Sequence, residues 1–308
     1  MHRQIRIGSR DSNLALWQAK FIESLLQQQG IKTEIILVKS EGDINLTSPL
    51  YEMGVQGIFT KTLDIALLSK KIDIAVHSLK DVPTQLPKNL KITAIPKRAN
   101  VKDALVYQDP NFKISDNAGI TIATSSLRRK AQWLNRYPKH SIESIRGNIN
   151  TRLEKLKNTP HWNAALFAVA GIDRIGLEVP NKKELDWMLP APAQGALAVV
   201  CREDDPETDS ICKTLNHFET ATCTGIERSF LRNLKGGCSI PIAALAIVDK
   251  NTIRFKGNIL SLDGVRKVEI EMEFSIGNFE NAGKLAALKL LESGGDKIAQ
   301  ELKSFMTE

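Results

Sequence analysis

The chain has 308 residues, 42% of them hydrophobic and 25% charged, which is a globular composition, long enough for two or three domains and unlike that of a disordered protein. Its net charge is +7, and between Thr121 and Lys157 nine basic residues stand against two acidic ones, so the remainder balances at 33 basic and 33 acidic. Such a focused basic segment asks for an anionic partner: nucleic acid, acidic lipid, or a ligand rich in carboxylate or phosphate.

The pattern alternates strand and helix. Residues 5–7 read as a short strand, and residues 13–28 as an amphipathic helix behind an Asp11/Ser12 cap. Strand follows at 33–38, helix at 58–69 and strand at 72–77. Further strands are predicted at 120–124, 141–146, 165–169 and 196–201, with helical segments between them. This is α/β architecture with a mostly parallel sheet. From Ile240 three strand-like runs (242–248, 253–260 and 265–274) precede a helix from Asn278, which suggests a small α+β domain. Ile95-Pro96-Lys97-Arg98 and Leu189-Pro190-Ala191-Pro192 are candidate hinges.

Several chemistries lack support. The longest apolar stretch, residues 164–172, is about half of a membrane span. Met1 to Ile7 alternates charge and apolarity without a signal-peptide core, so a soluble, cytoplasmic protein is expected. The cysteines, Cys201, Cys212, Cys223 and Cys238, form no C-x-x-C pair, and no phosphate-loop or dinucleotide fingerprint is present. No metal or nucleotide is expected.

An internal echo is informative. Residues 5–12 and 120–126 each run from a short strand through a small residue to hydroxyls that open a helix, an arrangement suited to anions. Arg128 and Arg129 then fall in a first helical turn, where the dipole disfavours cations, and nothing nearby in sequence explains them. Both are expected to meet a ligand. Lys80 and Asp81 follow the apolar run 72–77 and precede a Val-Pro turn, which puts them at the carboxyl end of a buried strand. Cys238 differs from its fellows: Gly236-Gly237 before it, and Ser239 and Pro241 after it, suggest a tight exposed turn that can present a thiolate to an electrophile.

Six ordered motifs make the pattern specific. His77-Ser78-Leu79-Lys80-Asp81-Val82-Pro83-Thr84, Thr124-Ser125-Ser126-Leu127-Arg128-Arg129 and Arg146-Gly147-Asn148-Ile149-Asn150-Thr151-Arg152-Leu153 are followed by Ala168-Val169-Ala170-Gly171-Ile172-Asp173-Arg174. Leu189-Pro190-Ala191-Pro192-Ala193-Gln194-Gly195-Ala196 and Gly236-Gly237-Cys238-Ser239-Ile240-Pro241 complete the series. Together they resemble the hydroxymethylbilane synthase (porphobilinogen deaminase) family from Gly8 to Pro241. The resemblance implies two periplasmic-binding-protein-like (type II) α/β domains with a cleft between them and a small C-terminal α+β domain. The first would comprise residues 1–97 and 193–217, the second 98–192 and the third 218–308.

It also implies the chemistry: stepwise condensation of four porphobilinogen molecules, with loss of ammonia, on a dipyrromethane cofactor joined by a thioether to Cys238. Each pyrrole carries an acetate and a propionate, so the basic segment would be the counter-charge of a growing polyanion. Asp81 would be the catalytic carboxylate. Ser78, Lys80, Asp81, Thr124, Ser125, Ser126, Arg128, Arg129, Arg146 and Gly147 would bind the cofactor. Arg10, Ser12, Phe59, Lys61, Arg152, Arg174 and Gln194 would bind substrate. Gln56 and Thr62 depart from the family's usual basic and acidic residues, and Val200 and Lys235 replace usual acids. Two rival functions are an anion-binding receptor, which has no need of Cys238, and a nucleic-acid binder, for which Trp133 and Tyr137 are meagre stacking material. A monomer is the default.

Overall fold

Ile5 and Ile7 are fully buried and alternate along β1 (Ile5–Ser9), the strand from which the first sheet grows. The computed structural model describes residues 3–38, 60–117, 119–179, 181–234 and 240–305. After β1, α1 (Asn13–Gln27) begins at Ser12, whose hydroxyl accepts from the Ala15 N–H. With β2 (Thr33–Leu37), β3 (Ile74–Ser78), β4 (Leu90–Ala94) and β10 (Leu197–Arg202), β1 forms a sheet of order β2-β1-β3-β10-β4. Ala19, Ile22 and Leu26 of α1 pack on one face, and Leu63 and Leu67 of α2 (Lys61–Leu68) on the other.

The second sheet repeats the plan. It comprises β5 (Asp103–Tyr107), β6 (Thr121–Ala123), β7 (Ser141–Glu143), β8 (Ala164–Ala168) and β9 (Lys182–Glu184), ordered β7-β6-β8-β5-β9. Its helices are α3 (Leu127–Arg136), α4 (Ile149–Asn158) and α5 (Val169–Arg174). The echo in sequence is thus an echo in space, since β1 and β6 hold the same place in their sheets and both lead to serine-capped helices. These are two α/β units built on one plan.

The sheets are mixed rather than mostly parallel. In each, two parallel pairings are followed by two antiparallel ones, through β10 in the first and β5 in the second. The reason lies in what the pattern reports: all six residues of β10 are buried, and an apolar run signals burial on both faces without signalling direction. The strands β4, β5 and β9 lie outside those read from the sequence.

After α6 (Pro206–Lys213), α7 (Phe218–Asn233) opens the third unit, where β11 (Ile242–Asp249), β12 (Thr252–Leu260) and β13 (Lys267–Ser275) form an antiparallel meander. The helix expected from Asn278 is two, α8 (Ala282–Leu290) and α9 (Asp296–Phe305), parted at Gly294 with φ +101°. Both pack with α7 on the meander around Phe230 and Phe255.

Two chain segments cross between the sheets, and they contain the two Pro-bearing connectors. They run side by side, with the Ala99 N–H donating to the Gly195 carbonyl at 3.0 Å. Gly195 has φ +85°, and a Cβ there would stand 2.8 Å from the Ala99 oxygen, so the approach requires glycine. Helix α7 pins both segments. Its Glu227, fully buried, accepts from two guanidinium nitrogens of Arg98 at 2.7 and 3.0 Å and from the Ala193 N–H at 2.6 Å. The Ala246 N–H of β11 completes the set at 2.8 Å. A buried carboxylate with four donors carries no unpaid desolvation. Among the described residues, no helix is long and apolar enough to cross a membrane.

Candidate active site

The buried strand β3 ends at Ser78, whose hydroxyl accepts from Gln18 Nε2 at 2.8 Å. One 3-10 turn, Leu79–Asp81, follows; Leu79 is buried beneath it, Lys80 is partly buried and Asp81 is exposed. His77 is buried, and burial together with the nearby Arg10 pushes its imidazole down to about 4. It is therefore neutral near pH 7. Lys80 reaches toward Gln194, with Nζ 3.4 Å from Oε1. Burial pushes the Lys80 ammonium down to about 8, with Asp81 opposing and Arg129 adding to the fall.

The second sheet supplies the opposing charges. Asp103 opens β5 and pairs in register with Ala168, so the antiparallel run of β5 delivers it to the carboxyl end of β8. Arg128 Nη1 meets Asp103 Oδ2 at 2.6 Å, while Arg129 Nε and Nη2 meet Oδ1 at 3.0 and 2.8 Å. Gln194 Nε2 donates to the same Oδ1 at 3.0 Å. Burial alone would raise the Asp103 carboxyl, but the two guanidinium groups hold it well below the usual carboxylate range. This corrects the expectation that Arg128 and Arg129 lack an internal reason for their place: both are buried and clamp one carboxylate. One negative charge against two leaves the pair a net cation, and the chain Lys80–Gln194–Asp103 ties it to the first sheet.

Around this hub lie the other predicted residues. Ser126 caps α3 by accepting from the Arg129 N–H at 3.4 Å, and Thr124 Oγ1 accepts from the Ser126 N–H at 3.2 Å. Ser125 donates to the Ile145 carbonyl at 2.7 Å, just before the partly buried Arg146. Gly147 has φ +110°, and a Cβ there would stand 2.7 Å from the Thr151 side chain, so only glycine lets Asn148 cap α4 in this way. Arg152 lies over the Phe167 ring at 5.2 Å; burial pushes it down to about 10, Arg129 adds to this and Asp81 opposes it. Among the described residues its buried Nε has no hydrogen-bond partner, and neither has that of Arg174. Arg174 also donates through Nη2 to the Gly195 carbonyl at 2.6 Å and lies over Trp17 at 5.6 Å. Lys61 stands exposed at the first residue of α2, and Ser12 is engaged as the α1 cap. Phe59, Gln56 and Cys238 lie outside the described residues.

The structure therefore gathers Lys80, Asp81, Arg128, Arg129, Arg152 and Gln194 within electrostatic or hydrogen-bond reach of one another. Sequence reasoning missed Asp103, the organiser of the group. Its only signal was an acidic residue opening the apolar run Ala104-Leu105-Val106.

Residues 5–210 match the family model described as "Porphobilinogen deaminase, dipyromethane cofactor binding domain", and residues 221–292 match "Porphobilinogen deaminase, C-terminal domain". The chain belongs to the porphobilinogen deaminase family. A porphobilinogen deaminase of Desulforamulus reducens is 42% identical over 99% of this chain and 99% of its own. That of Cytophaga hutchinsonii is 37% identical over 100% of both, and a probable porphobilinogen deaminase of Methanocaldococcus jannaschii is 42% identical over 93% of this chain and 99% of its own. Among solved structures, the periplasmic VFT2 domain of Bordetella pertussis BvgS has a TM-score of 0.41 and 16% identity, over 71% of this chain and 91% of that one.

The residues present fit the dipyrromethane of a porphobilinogen deaminase. Among the described residues two buried guanidinium nitrogens lack partners and an excess of cations surrounds Asp103, a donor set suited to a ligand with several carboxylates. The thiols also discriminate. Burial pushes Cys201, Cys212 and Cys223 up to about 11, 12 and 11, which leaves them protonated and unreactive at neutral pH.

Proposed function

We propose that this chain condenses four porphobilinogen molecules head to tail, releasing one ammonia from each and taking up one water that caps the freed chain, to give hydroxymethylbilane, with Asp81 as the catalytic carboxylate and Cys238 as the anchor of the dipyrromethane. The activity is the one its family carries. The observation that supports the residue assignment is one exposed carboxylate, Asp81, within electrostatic reach of Lys80 on its own turn and of Arg152 on α4, both of which also feel Arg129 of α3. Loss of ammonia from porphobilinogen develops positive charge on the pyrrole nitrogen. A carboxylate held on a turn beside that nitrogen stabilises the charge and can take up or return its proton. When bound, the dipyrromethane supplies the pyrrole to which substrate units are joined.

The surrounding residues have distinct tasks in this reading. Arg128 and Arg129, oriented by Asp103, grip cofactor carboxylates with the N–H groups that Asp103 leaves over, while Ser78, Lys80, Thr124, Ser125, Ser126, Arg146 and Gly147 complete that side. Arg152 and Arg174 offer their buried Nε groups to incoming substrate, together with Arg10, Ser12, Phe59, Lys61 and Gln194. Residues 1–97 with 193–217, 98–192 and 218–308 are read as three domains of a cytoplasmic monomer.

Lys80 gives this reading a pH signature. It binds the cofactor's carboxylates as an ammonium, so assembly of the dipyrromethane on unloaded protein should weaken as pH rises through about 8, at most about tenfold per pH unit. Lys80→Arg should flatten that limb. An unchanged limb in the variant would remove Lys80 from anion binding.

Ammonia release from porphobilinogen tests the activity directly, and intact mass tests the anchor. The purified chain should exceed its sequence mass by one dipyrromethane, located by peptide mapping at Cys238, and Cys238→Ser should show the bare mass. Porphobilinogen binding without ammonia release would favour the receptor. An active protein with unmodified Cys238 would overturn the anchor.

A further inference from the structure

The turn that bears Lys80 and Asp81 is held from outside its own domain. Arg228, the residue after Glu227 on α7, donates through Nη1 to the Leu79 carbonyl at 3.2 Å and the Val82 carbonyl at 2.8 Å. Through Nη2 it donates to the Pro83 carbonyl at 2.7 Å. Lys80 and Asp81 lie between the first and last of these carbonyls. A single 3-10 turn is a weak structure by itself, and Pro83 brings no backbone N–H to help close it. The internal hydrogen bond from the Val82 N–H to the Leu79 carbonyl is long at 3.2 Å. A planar guanidinium can gather three carbonyls at fixed angles, which a lysine cannot do.

We propose that Arg228 is a positioning residue for Asp81: α7 fixes where the catalytic carboxylate stands. The inference rests on the reading of Asp81 given above. Two consecutive residues of one helix thus divide the work, Glu227 pinning the crossing segments that carry Gln194 and Arg228 pinning the turn. The distance from Asp81 to Gln194 and to the Arg129 side of the site is then set by α7, and not by the turn's own geometry.

The test uses the cofactor-loaded protein, with loading measured by intact mass. Arg228→Ala should lower kcat per loaded enzyme by roughly 10–100-fold, since displacement by about 1 Å has costs of that order. KM should stay nearly constant, and Arg228→Lys should recover part of the loss. Amide exchange at residues 79–82 should quicken in the alanine variant while α7 itself stays protected. In the Asp81→Glu background the Arg228 effect should shrink, because both changes act on the position of one carboxylate. A full kcat in Arg228→Ala, or strictly additive losses in the double variant, would overturn the proposal. If Arg228→Ala does not fold, Arg228→Gln and Arg228→Lys carry the same comparison. Asp81→Ala separates the two readings. Retained turnover there defeats the role of Asp81, whereas its loss beside a fully active Arg228→Ala defeats this proposal alone.

Discussion

Asp81→Ala is expected to fold normally and to lose turnover by at least ~100-fold, the scale of a lost group that stabilises charge and moves protons in the transition state. The side chain is exposed, and the turn beneath it is held through backbone carbonyls by Arg228, so folding does not depend on the carboxylate. Electrostatics sharpen the measurement. Asp81 favours the charged form of Lys80, which already sits near 8, so its removal lowers that value further. Rates should therefore be compared well below pH 8, where Lys80 keeps its proton in both proteins. Asp81→Glu should keep part of the activity, because the charge survives while its position shifts. Near-normal turnover in the alanine variant would sink the assignment.

The second large effect concerns stability. Asp103→Ala would leave two buried guanidinium groups without their counter-charge and cost Gln194 one of the two acceptors of its side-chain amide, the Val101 carbonyl remaining. Breaking a buried pair in this way costs about 3–5 kcal/mol. Asp103→Asn should fall between, keeping an acceptor but no charge. The sign of the pH effect follows from the depressed carboxyl. Its stabilisation is present above the unfolded value of 3.8 and is lost as pH falls toward the lower folded value. Chemical denaturation of protein without cofactor should show the full loss. Loaded protein should show less, because ligand carboxylates replace part of the missing charge and binding favours the folded state. A change below about 1 kcal/mol in the unloaded alanine variant would mean that the arginines are not held by Asp103.

By itself the sequence determined the elements whose signals are local. Alternation at Ile5 and Ile7, the cap at Ser12, the cap at Ser126 and the strand running into Lys80-Asp81 depend on neighbours within a few positions, and each appears in the structure. The ordered motifs likewise marked most of the residues that meet at the site. Strand direction and ionic partnership were decided only by the tertiary structure. β10 and β5 run against their neighbours, and a doubly buried apolar run reads the same in either direction. Asp103 meets Arg128 and Arg129 across 25 and 26 positions, and Arg98 meets Glu227 across 129. Such pairs have no period along the chain, because charged groups choose partners by distance after the sheets have formed. The two arginines that looked unexplained in one dimension are explained by a carboxylate that the antiparallel run of β5 carries to their side.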